Sequence, residues 1–192
     1  FDDHVKFMLA DADGTQVRRD YTPRRFSRAA RELVIEFALH GVGKAAAWAR
    51  RAVAGQHALV GGPRGSMIVP LALDWHLLAG DATALPAIAR RLEELPAGSR
   101  AIVRVQADAD DRRAFAGRAD VDVRWFDTAE ALVADVRALA LPAGGGFAWG
   151  GGEASLMARV RHARNEKVVP REATRVSAYW KQGVAEHHEH LE

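Results

Sequence analysis

The sequence predicts two halves of different class: an antiparallel β-barrel over residues 1–72, and a parallel α/β sheet flanked by helices over residues 73–192. Two patterns carry the split. Apolar residues recur at every second position through the first third, whereas beyond Pro70 short apolar runs alternate with helical stretches. Length allows it, since 192 residues suffice for two small domains.

The elements follow in order. Val5, Phe7 and Leu9 alternate with Lys6 and Met8 in a strand expected over Asp3 to Leu9, and a second extended piece runs from Arg18 to Arg24, where Pro23 limits pairing. Leu33, Ile35, Phe37 and Leu39 alternate with Val34, Glu36 and Ala38. Gly41 and Gly43 break that run ahead of an alanine-rich helix over Ala45 to Val53, which carries Trp48 and turns Arg50 and Arg51 outward. Two short strands, His57 to Gly61 and Ser66 to Val69, are joined by the turn Gly62-Pro63-Arg64-Gly65. The chain opens on Phe1 rather than Met and enters a strand almost at once, so further barrel strands are expected upstream.

The rhythm changes near residues 70–73, which marks the expected domain boundary. Strands are expected at Trp75 to Ala79, Ala101 to Val105, Val121 to Trp125, Phe147 to Gly150 and Arg175 to Tyr179. Helices fall between them at Leu85 to Leu95, Thr128 to Leu139 and Ala154 to Arg164, with a brief one after Lys181. Ala107 to Arg113 reads as a loop or short helix, and Gly144 to Gly146 as a turn.

Composition narrows the function classes. With 48% apolar and 27% charged residues the chain has the balance of a globular protein. No apolar run approaches eighteen residues and no leader pattern opens the chain, so a cytoplasmic protein without membrane insertion is expected. The absence of cysteine excludes disulfides, thiolate nucleophiles and cysteine-ligated iron-sulfur clusters. A formal charge of only +2, with basic residues scattered among acids, argues against a nucleic-acid partner.

Two motifs in the first half point to a cofactor. Arg19-Asp20-Tyr21-Thr22-Pro23-Arg24 gathers two cations, an aromatic ring and a hydroxyl in one extended segment. Arginine can grip a pyrophosphate, tyrosine can cover an aromatic ring and threonine can hydrogen-bond a ring nitrogen. Alternate side chains share a face, so the segment must lie at a strand end or a bulge to wrap one ligand. Next, His40-Gly41-Val42-Gly43-Lys44 leads into the helix bearing Ala47-Trp48-Ala49, presenting free N–H groups and the positive end of a helix dipole.

The second half repeats a strand-turn-helix pattern twice. Gly80-Asp81-Ala82-Thr83-Ala84-Leu85-Pro86 ends an apolar strand, with Asp81 or Thr83 as helix cap and Pro86 in the first turn. Gly150-Gly151-Gly152-Glu153-Ala154-Ser155 does the same after the fourth strand, with glycines that let a cofactor approach the backbone. Both turns lie at the carboxyl end of the sheet, where open α/β folds bind nucleotides. Asp108 and Asp110 favour a ribose hydroxyl and so NADH, while Arg112 and Arg113 favour a phosphate, leaving the choice open.

Taken together these segments resemble the siderophore-interacting proteins of the ferredoxin reductase-like superfamily. The likeness lies in Arg-x-Tyr-Thr-x-Arg, His40-Gly41 with the glycine-to-Trp48 helix, Gly-Asp-x-Thr-Ala-Leu-Pro, Gly-Gly-Glu-Ala-Ser, and Tyr179-Trp180-Lys181-Gln182-Gly183 near the end. It departs at Lys44, where the family usually has proline, and at Ala46, where serine is common. The resemblance implies an FAD-binding barrel followed by a Rossmann-like NAD(P)H-binding domain with a C-terminal substrate-binding segment. It implies that Arg19, Tyr21, Thr22, Arg24, His40, Gly41, Gly43, Lys44, Ala47, Trp48 and Ala49 hold FAD. Gly80, Asp81, Thr83, Ala84, Gly152 and Glu153 would meet the nicotinamide nucleotide, Lys181 an anionic ferric siderophore, and Tyr179 and Trp180 would lie near the flavin.

The implied activity is a ferric-siderophore reductase. Electrons would pass from NADH, NADPH or a ferredoxin through flavin to Fe(III), releasing Fe(II), because hard oxygen ligands hold the ferrous ion less firmly. The flavin carries the chemistry, so no catalytic side chain is needed, and the expected protein is a monomer. The alternatives are a flavin-containing chelate-binding protein without turnover and a general flavin reductase. His187, His188 and His190 are read as a solvated tail rather than a metal site.

Overall fold

The computed structural model describes residues 1–10, 14, 16–39, 43–63, 65, 67–167 and 169–184, and the backbone of 189–191. Close packing divides the chain into two units, Phe1–Met67 and Ile68–Glu192.

The first unit is antiparallel. β1 (Val5–Ala10) pairs with β2 (Gln16–Tyr21) on one edge and with β5 (Leu59–Gly61) on the other, while β3 (Pro23–Ser27) and β4 (Glu32–Ile35) form a separate hairpin. Alternation in β1 sends Val5, Phe7 and Leu9 inward. Phe7, Leu9, Val17 and Ala45 form the core, which Tyr21, Ile35, Phe37 and Trp48 extend, so α1 (Lys44–Arg51) is held by its alanine and tryptophan face.

Three expectations for this stretch of sequence change. The Arg18–Arg24 strand is broken at Thr22 into β2 and β3, because proline cannot donate to a ladder. The Leu33–Leu39 run is paired only as far as Ile35, and the Leu39 carbonyl accepts instead from the Arg50 guanidinium at 2.6 Å. Met67–Val69 is not a strand: Arg91 donates to the carbonyls of Val69 and Pro70 at 3.2 and 2.6 Å, taking backbone acceptors that a ladder would use.

In the second unit β6 (Trp75–Asp81), β7 (Arg100–Gln106), β8 (Asp120–Phe126), β9 (Gly146–Glu153) and β10 (Thr174–Trp180) pair in parallel in the order β8-β7-β6-β9-β10. The order reverses between β6 and β9, and such a switch point leaves a crevice at the carboxyl ends of the strands. α2 (Leu85–Glu94), α3 (Ala129–Ala138) and α4 (Ala154–Asn165) supply the crossovers. Thr128 accepts from Ala131 N–H at the start of α3, and Pro86 stands in the first turn of α2. Leu132, Val133 and Val136 of α3 and Leu156, Met157 and Val160 of α4 pack together on the sheet with Ala79 and Val176. Where a helix was expected after Lys181, the described residues 181–184 form a turn. Lys181 and Val184 close a turn through Gly183, at φ +77°, and β11 (Glu189–Leu191) pairs antiparallel with β10, completing an edge that would otherwise be open. No described helix is long and apolar enough to cross a membrane.

One buried group gives the fold a pH dependence. His76 lies fully buried in β6, and among the described residues neither ring nitrogen has a hydrogen-bond partner of good geometry. Burial, and then the Arg91 charge, pull its imidazole from 6.5 down to about 4. Between those values the unfolded chain binds more protons than the folded one, so this contribution is full above about pH 6.5 and is lost as pH falls toward 4. Denaturant titrations at about pH 7 and about pH 4.5 are expected to show a loss on the order of 2–3 kcal/mol from this group. His76→Phe should remove that part of the pH difference; an unchanged difference would show that His76 is not its source.

Candidate functional site

In the first unit the two predicted motifs meet on one aromatic cluster. Tyr21, the last residue of β2, lies edge-on to Phe7 at 5.9 Å and tilted against Phe37 at 4.4 Å. Trp48, from the first turns of α1, touches the same two rings at 5.2 and 5.9 Å. Arg19 shares the Tyr21 face of β2, and its charge partly offsets the burial that pushes the Tyr21 phenol up to about 12. Asp20 faces away, accepting from Lys6 Nζ at 2.7 Å. Thr22 is buried at the break between the strands. The hairpin register slips between Pro23 and Arg25, and Arg24 there pairs through Nε with Glu36 at 3.3 Å. The strand end and the irregularity that one ligand requires are thus both present.

Gly43 is the N-cap of α1 and offers no side chain to its N–H groups. Its φ of −61° suits any residue, and a Cβ there would meet nothing within 4 Å among the described residues. Neither strain nor packing among the described residues demands glycine, and serine or aspartate would cap the helix better. Backbone donors without a side-chain cap from Gly43, the dipole of the helix and Lys44 beside them make a place that suits a phosphate. Ala47, Trp48 and Ala49 are half-buried behind it. His40 and Gly41 lie outside the described residues.

In the second unit the predicted residues gather at the switch point, where the protein fills much of the space itself. Asp81 accepts from the Thr83 N–H at 2.8 Å and hydroxyl at 2.5 Å, and from Glu153 N–H at 2.7 Å. A Cβ on Gly80 would lie 2.2 Å from the Gly151 carbonyl oxygen and 2.5 Å from the Ala84 side chain. Gly152 has φ +152°, and a Cβ there would stand 2.7 Å from the Asp81 carboxylate. Glu153 caps α4, accepting from Ser155 and Leu156 N–H. Burial alone would raise its carboxyl, but these bonds and one from Gln182 N–H hold it below the usual range. Further along the rim, Arg112 is tied to Asp127 and donates to the Ala107 carbonyl at 3.2 Å. Trp149 and Tyr179 stack edge-on at 6.3 Å, and Lys181 is exposed.

Residues 2–67 match the model of the siderophore-interacting FAD-binding domain, and residues 73–183 match that of the siderophore-interacting protein. The chain belongs to the siderophore-interacting protein family. It is 36% identical over 189 residues to an uncharacterized protein of Mycobacterium tuberculosis, a match covering 88% of this chain and 66% of that relative. Ferric vibriobactin reductase ViuB of Vibrio cholerae is 30% identical, over 92% of this chain and 69% of its own. The NADPH-dependent ferric-chelate reductase of Escherichia coli is also 30% identical, over 94% and 80%. Among solved structures, a siderophore utilization protein from T. fusca superposes with a TM-score of 0.85 at 31% identity, over 95% of this chain and 80% of that one. Phthalate dioxygenase reductase, at 17% identity, a TM-score of 0.57 and coverage of 97% and 60%, shares the fold.

Two features of the candidate site were not given by the motif reading. Phe7 and Phe37 form the common floor under Tyr21 and Trp48, and their inward places in alternating strands were the available signal. Ser155 and Gln182 stand inside the quoted motifs, but that both donate to Glu153 was not read from them; local spacing suggests the first bond, and nothing local suggests the second. His187 and His188 lie outside the described residues, and of His190 only the backbone, in β11, is described.

Proposed function

We propose that this chain acts as an FAD-dependent ferric-siderophore reductase, taking electrons from NADH, NADPH or a ferredoxin and delivering them to Fe(III) in a siderophore, which leaves as Fe(II). The observation that carries this reading is the meeting of Tyr21 and Trp48 on Phe7 and Phe37 beside the glycine-led tip of α1 at Gly43. FAD, when bound, supplies two-electron acceptance and one-electron release.

The chain's residues then bind and orient. The Tyr21 ring offers an aromatic face and the Thr22 hydroxyl a ring partner, while Arg19 and Arg24 neutralise pyrophosphate. Gly43 and Lys44 present N–H groups and charge to a phosphate. Gly80 to Ala84 and Gly152 to Glu153 form the rim at which a nicotinamide nucleotide docks. Lys181 attracts the anionic chelate by charge, and a catecholate ligand also by cation–π contact with its rings. Names borne by the Vibrio cholerae and Escherichia coli relatives support the ferric-chelate substrate, and the second also supports NADPH as donor.

The absorption spectrum of the purified chain should show flavin bands, bleaching anaerobically with at least one donor and re-forming on addition of a ferric chelate, with Fe(II) appearing in a ferrous-specific dye. Gly43→Asp separates binding from folding. It caps α1 and should raise stability without flavin by roughly a few tenths of a kcal/mol, yet it sets a negative charge at the phosphate place and should weaken FAD binding by about tenfold or more. Undiminished FAD binding in that variant would remove the α1 tip from the site, and a donor that bleaches flavin without Fe(II) release would leave a chelate-binding protein.

A further inference from the structure

Two carboxylates join the carboxyl ends of β6, β9 and β10, and both spend their acceptor sites on the chain itself. Asp81 Oδ1 accepts from the N–H and hydroxyl of Thr83, while Oδ2 accepts from Glu153 N–H at 2.7 Å and from the Trp180 indole Nε1–H at 3.0 Å. Four donors fill the capacity of a carboxylate. Glu153 gives Oε2 to Ser155 and Leu156 and turns Oε1 to Gln182 N–H at 3.4 Å.

The consequence falls on the segment that leaves the sheet. β10 slips by one residue against β9 between Ala178 and Trp180, which sets Trp180 opposite Glu153, and the missing side chain at Gly152 leaves room for the Asp81 carboxylate. Trp180 is only partly buried, and Lys181 to Val184 are exposed, so apolar burial does little to fix them. Contributing to their placement are an indole N–H on Asp81, a backbone N–H on Glu153, and the turn closed by Val184 N–H on the Lys181 carbonyl at 3.1 Å.

We propose that Asp81, seconded by Glu153, is a positioning residue for the substrate arm Trp180–Lys181. It sets the indole edge, and through it the adjoining lysine, at the rim of the α/β unit where a ferric chelate binds. With its acceptor sites occupied, Asp81 serves the nicotinamide nucleotide only indirectly. The proposal rests on the reading of Lys181 as the chelate's partner.

The test uses the FAD-loaded chain with the ferric tris(catecholate) complex as probe and a saturating concentration of whichever donor, NADH, NADPH or reduced ferredoxin, bleaches its flavin, following Fe(II) with a ferrous-specific dye. Trp180→Phe keeps the ring and loses only the N–H, while Asp81→Asn cannot satisfy all four donors. Each should raise KM for the complex about fivefold, the worth of one hydrogen bond, with the change falling on KM rather than kcat. The double variant should go no further, because both remove the same bond. Thr128→Ala, which destabilises α3 by losing a cap elsewhere, should leave KM within about twofold. In isotope-labelled protein the indole N–H resonance missing from Trp180→Phe should shift in Asp81→Asn and not in Thr128→Ala.

An unmoved KM in Trp180→Phe, single effects that multiply in the double variant, or an unshifted resonance overturns the proposal. Wild-type protein that binds the complex, seen as quenching of flavin fluorescence, but does not reduce it would overturn the reductase reading alone; the same fivefold comparison is then made on Kd. A wild-type chain that neither binds nor reduces it overturns both.

Discussion

Arg104→Met is expected to cost about 3 kcal/mol of folding free energy, a fall of roughly 10 °C in the melting temperature of the α/β unit. Arg104 occupies β7, in the interior of the sheet, fully buried. Its guanidinium is spent in several directions: Nε donates to Asp135 Oδ2 of α3, Nη2 to Asp122 Oδ2 at 2.7 Å and Nη1 to the Asp122 carbonyl at 3.0 Å. Arg124 shares Asp135 at 2.7 Å. Removing the central cation leaves Asp135, largely buried, with one surface partner, and strips a backbone carbonyl of its donor. Arg104→Lys should recover little, since an ammonium cannot match a planar fork. Asp122 is half-exposed, so Asp122→Asn should cost about 1 kcal/mol or less. The hydrogen bond from Arg104 holds the Asp122 carboxyl below the usual range. That share of stability is present above the ordinary carboxylate pKa and lost as pH falls through the lower folded value. Thermal melts of the three variants decide the matter; a melting temperature for Arg104→Met within about 2 °C of wild type would show that the cluster behaves like a surface ion pair.

Gly80→Ala should be the most damaging change at the switch point, with a loss of about 3 kcal/mol or more and a disturbed rim. The added methyl meets the Gly151 carbonyl oxygen and the Ala84 side chain well inside contact distance. The first is backbone of the neighbouring strand, so the β6–β9 pairing itself must move, and Asp81 moves with it. Gly43→Ala is the contrasting case, with nothing among the described residues in reach of the added methyl and an ordinary φ, so its stability should change by less than about 0.5 kcal/mol. Denaturation midpoints for the pair check this directly. Equal losses would mean that Gly43, too, is required by the fold.

The α/β unit was legible almost residue by residue. Its inner strands are buried on both faces, so Trp75–Asp81 and Arg100–Gln106 read as apolar runs, and its helices announce themselves through Thr128, Pro86 and Glu153. The antiparallel unit was less so, because its strands are short and where they stop is decided elsewhere. Arg50 takes the Leu39 carbonyl from eleven positions away, and Arg91 takes those of Val69 and Pro70 from more than twenty. Arg104 was hidden inside an apolar run whose neighbours gave no sign that two aspartates would neutralise it.

The amino-acid sequence alone determined the class of each half, the order of elements in the α/β sheet and the residue types at the site, because period, capping and turn chemistry act over a few positions. Only the folded chain decided what those residues do to one another. Tyr21 and Trp48 share a floor because β1 and the segment after β4 bring Phe7 and Phe37 together. Asp81 meets Trp180 across 99 positions because parallel strands end at one rim. A hydrogen bond extends only about 3 Å, and chain spacing carries no record of which distant donor will arrive within it.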